Sequence, residues 1–385
     1  MKNFDILIDQ KYPAEESIIL RYHRSGITKL SEQELKLISL KEGERIFYLM
    51  DYLGVPIFIL DETTLMETNT FEALVAAITL GHCKKLGYKK VIFSSGGNLG
   101  AALARYASLA DIKAYSFNPL VNLPLLDGSI FTKKGVYLIG VKNAQKTRDV
   151  MLEVRKRMMK VLKYDPLIPK MSWRLEAFGF RGFFIGEYMI KNKIRFTAIT
   201  QTISAGFGPI ATFNVLGGLF RKKQIRTLPK LLGVQQEMNC YMYEKWSGKK
   251  VQTGDSSLLV PTLFDKNPDK TFGTYPALTR LLKKTGGSLL TISSREFKHY
   301  ISADVLKKLE QNGLRHTKVK GDIFAKSGLV ALAGSMKAID GGIISRGPVL
   351  VSMTDGVTNF SVSSKPKFIV RNKQDLNKII NLVSE

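Results

Sequence analysis

The chain is poor in several things, and each shortage closes a class of explanation. Among 385 residues there are only two cysteines, Cys83 and Cys240. They lie far apart and without metal-ligand spacing, which removes a disulfide framework and a zinc site and fits a reducing compartment. No metal is expected. Four histidines, His23, His82, His299 and His316, stand isolated, none paired with a motif cysteine, serine or carboxylate at a catalytic spacing. Surface or core roles are expected for them, and packing roles for the two tryptophans, Trp173 and Trp246. Cys83 follows an apolar helical face and reads as a small buried hydrophobe. No apolar run reaches the roughly 18 residues of a membrane-spanning helix, and residues 1–17 lack the apolar centre of a signal peptide. A cytoplasmic protein is expected. Neither a short-period repeat nor a low-complexity linker marks a domain boundary.

Acidic residues are the last scarcity. The chain carries 33 of them against 58 basic ones, a formal charge of +25. Such an excess suits an acidic partner or a charged ligand. The densest clusters, RKRMMKVLK (155–163) and RKKQIR (221–226), are short, and neither zinc-finger spacing nor an RNP-like aromatic motif accompanies them. Nucleic acid is therefore disfavoured, and an acidic carrier protein is the candidate macromolecular partner. The bland alternative is lysine scattered over solvated surface.

What is present is a hydrophobic fraction of 44%, enough chain for two domains with their own cores, and an alternating pattern. Short apolar runs at 55–60, 90–93, 114–117, 136–141, 198–203, 230–235 and 349–353 read as strands. Between them, 70–86, 98–108, 147–162, 210–220 and 328–339 read as helices. The alternation predicts a mostly parallel sheet with helices on both faces. Ligands in such folds sit at the carboxyl ends of the strands, so the loops after strands are where chemistry is expected.

Three of these loops stand out. The run 90–93 ends in Ser94, Ser95, Gly96, Gly97 and Asn98, where a helix starts. Glycines there bring amide N–H groups onto an anion, and the helix N-terminus adds positive partial charge. The run 198–203 leads into Ser204, Ala205, Gly206, Phe207 and Gly208, with Pro209 expected at the first helical position. This segment suits a phosphate, although it matches neither the P-loop nor the dinucleotide pattern. Each of the two loops also has a bland reading as a capped turn. The third loop, Thr354, Asp355 and Gly356, follows the last strong strand; its hydroxyl can pair with a heteroaromatic nitrogen, and by itself it reads as a turn.

In this order the three loops resemble the fold type II pyridoxal-phosphate enzymes, the tryptophan synthase beta and threonine synthase superfamily. Within it the chain resembles threonine synthase and, more narrowly, cysteate synthase, through IILRYHRSG (18–26), GERIFYLMDYLGVPI (43–57), SWRLEAFGFRGFFIGEY (172–188), LLGVQQE (231–237) and SGLVALAG (327–334). The resemblance implies an α/β fold of two three-layer αβα domains with mostly parallel sheets. It divides the chain into a larger domain, 1–72 with 180–385, carrying the phosphate loop, and a smaller, mobile one, 73–179, carrying the substrate loop. It also implies that Asn98 meets the cofactor ring hydroxyl, that Ser204, Ala205, Gly206, Phe207 and Gly208 cradle its phosphate, and that Thr354 faces the pyridine nitrogen. Thr70, Ser94, Ser95, Gly96 and Gly97 fall to the substrate carboxylate. Arg174 and Glu176 match a segment near the active site, and the expected assembly is a homodimer.

One departure dominates. Where the family pattern reads roughly Pro-Thr-Gly-Ser/Thr-Phe-Lys, this chain has Glu67, Thr68, Asn69, Thr70, Phe71 and Glu72. The Schiff-base lysine is absent, and residues 64–83 contain no lysine at all. Lys84 and Lys85 lie some 18–20 Å further along a helix, at about 1.5 Å per residue. Glutamate cannot form an imine and serves only as general acid or base. Asn69 and Gly96 also depart from the pattern, as do Ala325 and Lys326, which replace a usual Glu-Pro. Three functions stay open: β-elimination or replacement on a substrate such as phosphoserine, with a different lysine reaching pyridoxal 5′-phosphate or the cofactor used only as a preformed external aldimine; a repurposed, cofactor-independent enzyme with Glu72 as its catalytic acid or base; and a non-catalytic binding homologue.

Overall fold

The computed structural model describes residues 18–36, 45–95, 97–254, 256–261, 263, 267–315, 318–319, 322–323, 326–354 and 362–384. Of the positions singled out above, Gly96, His316, Ala325, Asp355 and Gly356 lie outside the described residues, as does the opening segment 1–17. The strands are β1 (Arg45–Tyr52), β2 (Val55–Asp61), β3 (Lys90–Phe93), β4 (Lys113–Pro119), β5 (Val136–Val141), β6 (Ala198–Thr202), β7 (Lys230–Gln236), β8 (Ser288–Ile292), β9 (Lys318–Val319), β10 (Asp322–Ile323), β11 (Val349–Met353) and β12 (Phe368–Val370).

They form a six-stranded sheet in the order β1-β2-β11-β6-β7-β8 and a four-stranded sheet in the order β12-β5-β4-β3; β9 and β10 pair only with each other. The hairpin β1–β2 is antiparallel, and every other pairing within the two larger sheets is parallel. Strand periodicity explains the layering. Leu60, Ile199, Leu231 and Leu350 point to one face of the larger sheet, into the core shared with helices Met171–Lys191 and Phe207–Arg221. Their neighbours Ile59, Ala198, Leu232, Val349 and Val351 point to the other, against helix Ser327–Asp340. A sheet buried on both faces reads in sequence as unbroken apolar runs, and that is why these strands were visible. The smaller sheet repeats the scheme: Val91, Phe93, Ala114 and Leu138 face helix Asn98–Leu109, while Ile92, Tyr115, Phe117 and Ile139 face helices Thr147–Leu162 and Lys373–Ser384. The architecture is the three-layer α/β fold that the alternation implied. β12 completes the smaller sheet by pairing with β5.

One local expectation is corrected. Pro209 does not open its helix; Phe207 does, and Pro209 is the third residue. Gly206, at φ +77°, turns the chain left-handed earlier than the proline would require. Pro209 is tolerated because N–H groups of the first turn have no partner within the helix.

Candidate active site

Four helices begin around one cavity of about 250 Å³, Glu72–Lys85, Asn98–Leu109, Phe207–Arg221 and Ser327–Asp340. None of the four has a side-chain cap from its N-cap residue. Each helix N-terminus carries about half a positive charge on its orphan amides, so the strand-to-helix loops converge on a site with a built-in preference for anions.

Of the residues predicted from sequence, Glu72, Ser95, Asn98, Ser204, Ala205, Gly206, Phe207, Gly208 and Thr354 line this cavity together. Thr70 and Gly97 line an adjoining cavity of about 220 Å³, which shares Asn98 with the first. Ser94 is exposed and lines neither.

Glu72 is the first residue of its helix, where a carboxylate is favoured by the helix dipole. Its Oε2 accepts a hydrogen bond of 2.6 Å from the Thr70 hydroxyl, and its own amide donates to Thr70 Oγ1 at 3.1 Å. Thr70 therefore fixes the carboxylate against the backbone. The Phe71 amide donates to the Thr354 carbonyl at 3.0 Å, tying the start of this helix to the end of β11. Thr354 and Ser327 place their hydroxyls 3.2 Å apart, both buried.

The cavity has one cation among its described lining residues, Arg174. Its guanidinium lies 5.1 Å from the Phe207 ring and 5.2 Å from the Phe272 ring, a placement that favours a cation through the ring faces. No described carboxylate pairs with it. Burial alone pushes its pKa down, to about 10, and it is still cationic at neutral pH. Glu72 is the cavity's one carboxylate and no lysine is present, among the described lining residues.

Behind the cavity, helix Met171–Lys191 supplies a second arginine that sequence reasoning did not single out. Arg181 is wholly buried and grips Glu62 with two hydrogen bonds, 2.6 and 2.8 Å long. It also donates to Gln201 at 3.1 Å and to Ser352 at 3.2 Å, and its guanidinium lies 5.1 Å from the Phe71 ring. Gln201 lines the cavity, so this network sets part of its wall. The signal was present: an arginine flanked by phenylalanine and glycine in an apolar helix must find a buried partner. Close packing continues at Gly208, where an added Cβ would lie 2.7 Å from Gln201 Nε2 and 3.1 Å from Phe71. At Gly100, it would lie 2.2 Å from the Ser95 carbonyl oxygen, so the backbone at Ser95 rests directly on the helix that follows it.

Glu176 lies away from the cavity's lining. It bonds His82 at 2.9 Å, and His82 stacks on Trp173 with ring centroids 5.1 Å apart. Cys83 and Cys240 are buried, and burial raises the thiol pKa to about 12 and about 11 respectively. Among the described residues no group of three or more histidine, cysteine or acidic side chains is placed to hold a metal, and no helix is long and apolar enough to cross a membrane.

No protein-family profile matches the chain. Solved structures do. Diaminopropionate ammonia lyase from Escherichia coli, in complex with an aminoacrylate-PLP azomethine reaction intermediate, superposes with a TM-score of 0.61 at 14% identity, over 93% of this chain and 96% of that one. Threonine deaminase isoform 2 from Solanum lycopersicum gives 0.56 at 17% identity, over 88% and 82%. Serine racemase from Dictyostelium discoideum gives 0.55 at 14%, over 80% and 89%. The chain has the fold type II architecture of these enzymes. A curated relative, the 2-amino-4-ketopentanoate thiolase beta subunit of Acetoanaerobium sticklandii, is 36% identical over 102 residues; the match spans 26% of this chain and 21% of that subunit.

Proposed function

We propose that the cavity binds a small anionic ligand, an amino acid or a phosphorylated derivative such as phosphoserine, and that Glu72 acts on it as general acid or base. The observation that carries this is the composition of the cavity: one glutamate, one arginine without a carboxylate partner, converging helix N-termini, and no lysine among its described residues. Arg174 and the amides at Gly206 to Gly208 suit a phosphate or carboxylate. Glu72, held by Thr70, is then poised to hold or move a proton on the bound ligand. The name of the curated relative specifies an amino acid bearing a ketone, which agrees with a substrate of this class. β-Elimination or replacement is the chemistry from which the site would have diverged.

The cavity is compatible in part with pyridoxal 5′-phosphate. Asn98, the amides around Gly206 to Gly208 and the Thr354 hydroxyl are the groups that would hold it, and when bound it supplies an electron sink. What does not fit is covalent attachment, because Glu72 has no amine to offer. The same proposal takes the protein to be a cytoplasmic homodimer divided into two domains, with the β12 segment grouped with the smaller sheet.

Calorimetric titration with phosphoserine and with pyridoxal 5′-phosphate tests this. Saturable binding of at least one is expected, weakened about tenfold or more in Arg174→Leu and retained in Glu72→Gln. Absence of binding by both overturns the proposal. A visible imine band that borohydride bleaches would replace it with conventional lysine chemistry.

A further inference from the structure

The cluster RKKQIR plays no part in the site above, yet its fold position is informative. Helices Met171–Lys191 and Phe207–Arg221 end side by side, and the turns after them enclose a cavity of about 450 Å³. Four exposed cations line it, Lys193 and Arg195 from one turn, Lys223 and Arg226 from the other. No carboxylate is among the described lining residues.

Cations at helix C-termini have an ordinary explanation in the helix dipole, so the magnitudes must be compared. Two C-termini supply about one negative charge between them. Four cations exceed that by about three charges. The terminal carbonyls are moreover already served by the backbone: the Lys193 amide donates to Ile190 O at 3.3 Å, and the Lys223 amide to Phe220 O at 2.9 Å. Lys193 and Lys223 both sit at positive φ, 52° and 59°, a conformation disfavoured for a residue with a side chain. The apolar wall includes Ile190 and Ile225. Gln224 lines the cavity as well, although its own carboxamide oxygen is out of reach of solvent.

We propose that this basic cavity binds a small molecule carrying two or more phosphates. Phosphates take the surplus charge through charge-assisted hydrogen bonds from Arg195 and Arg226, and the organic part of a nucleotide would lie on the isoleucine wall. The site is separate from the Glu72 cavity and does not depend on its function.

The test is titration of the whole chain with pyrophosphate and, separately, uridine diphosphate. Saturable binding at about 0.05 M salt, falling at least ~tenfold by about 0.5 M, is expected. The pair Arg195→Ser with Arg226→Ser should weaken it at least tenfold while leaving the melting temperature unchanged, since both side chains are exposed. Arg226→Glu should do the same. Tighter binding of uridine diphosphate that Ile190→Ser brings down to the pyrophosphate level assigns a nucleotide; equal affinities assign inorganic oligophosphate. No saturable binding at low salt, or binding indifferent to the paired variant, overturns the proposal. So does capture of a single-stranded RNA that the paired variant abolishes, if pyrophosphate does not bind.

Discussion

Arg174 and Arg181 lie two turns apart on the same helix and have opposite circumstances. Arg181 is sealed from solvent, doubly bonded to Glu62 and satisfied by Gln201 and Ser352. Arg174 faces a cavity, beside a contacting pair of aromatic rings, with no described carboxylate next to it. A buried arginine with its acid at hand belongs to the architecture, because removing either partner strands a charge. An arginine lodged against a pocket without one is a group whose counter-ion must arrive from outside. The difference separates the scaffold from the site more sharply than burial does.

The largest break in this contrast is expected from Arg181→Leu, which leaves Glu62 buried and uncompensated. Denaturant unfolding should show a loss of about 3–5 kcal/mol, whereas Arg174→Leu should stay within about 1 kcal/mol of the parent and lose anion affinity instead. Equal stability losses in the two variants would erase the distinction. Next comes the cavity's own carboxylate. Glu72→Gln should leave ligand affinity nearly intact and lower turnover by about 10²–10⁴ on any substrate found. Thr70→Val, which removes the hydrogen bond to Glu72 but not the carboxylate, should lower it less. Gly208→Ala probes the wall where the two arginine environments meet, since its Cβ would press on Gln201 and Phe71. Overpacking of this kind costs about 1–3 kcal/mol, measurable as a lowered melting temperature.

The smallest effect sharpens the comparison at the surface. Burial by itself would raise the Asp165 carboxyl, but hydrogen bonds from Arg155, Lys170 and the Leu167 amide outweigh it and hold the pKa at about 2. A carboxyl depressed on folding stabilises the protein above its unfolded pKa of about 3.9, and that contribution disappears as pH falls toward 2. Solvent screening limits it to about 1 kcal/mol. Asp165→Asn should therefore lower stability by up to about 1 kcal/mol at neutral pH, flatten the stability profile between about pH 4 and 2, and match the parent near pH 2.

The legible part of this fold was the part buried on both sides. β3, β5 and β11 were read to the residue because their apolar runs are unbroken. β1 escaped: its exposure alternates irregularly and a bulge interrupts it between Tyr48 and Met50, as suits an edge strand. β12 has three residues, two of them half-buried, too few for any period to register. The site was legible where glycine and hydroxyl residues follow a strand, since their local chemistry is written in adjacent positions. Its remaining walls were not. Phe178, Phe272 and Ser327 reach the cavity from three separated segments, and only the packing of helices on the larger sheet brings them together. Glu62 and Arg181, 119 residues apart, show the same limit for the scaffold beneath.

The pairing of β12 with β5 sets an order of events during synthesis. Phe368 lies opposite Ile139, so the smaller sheet cannot close its outer edge until more than two hundred further residues have left the ribosome. Until then the unpaired edge of β5 offers a template to any passing strand, and a contact of such sequence separation forms slowly. Newly made chains should thus pass through an interval in which the larger sheet is still incomplete and the smaller one is open, the stage at which chaperone binding or aggregation would be decided.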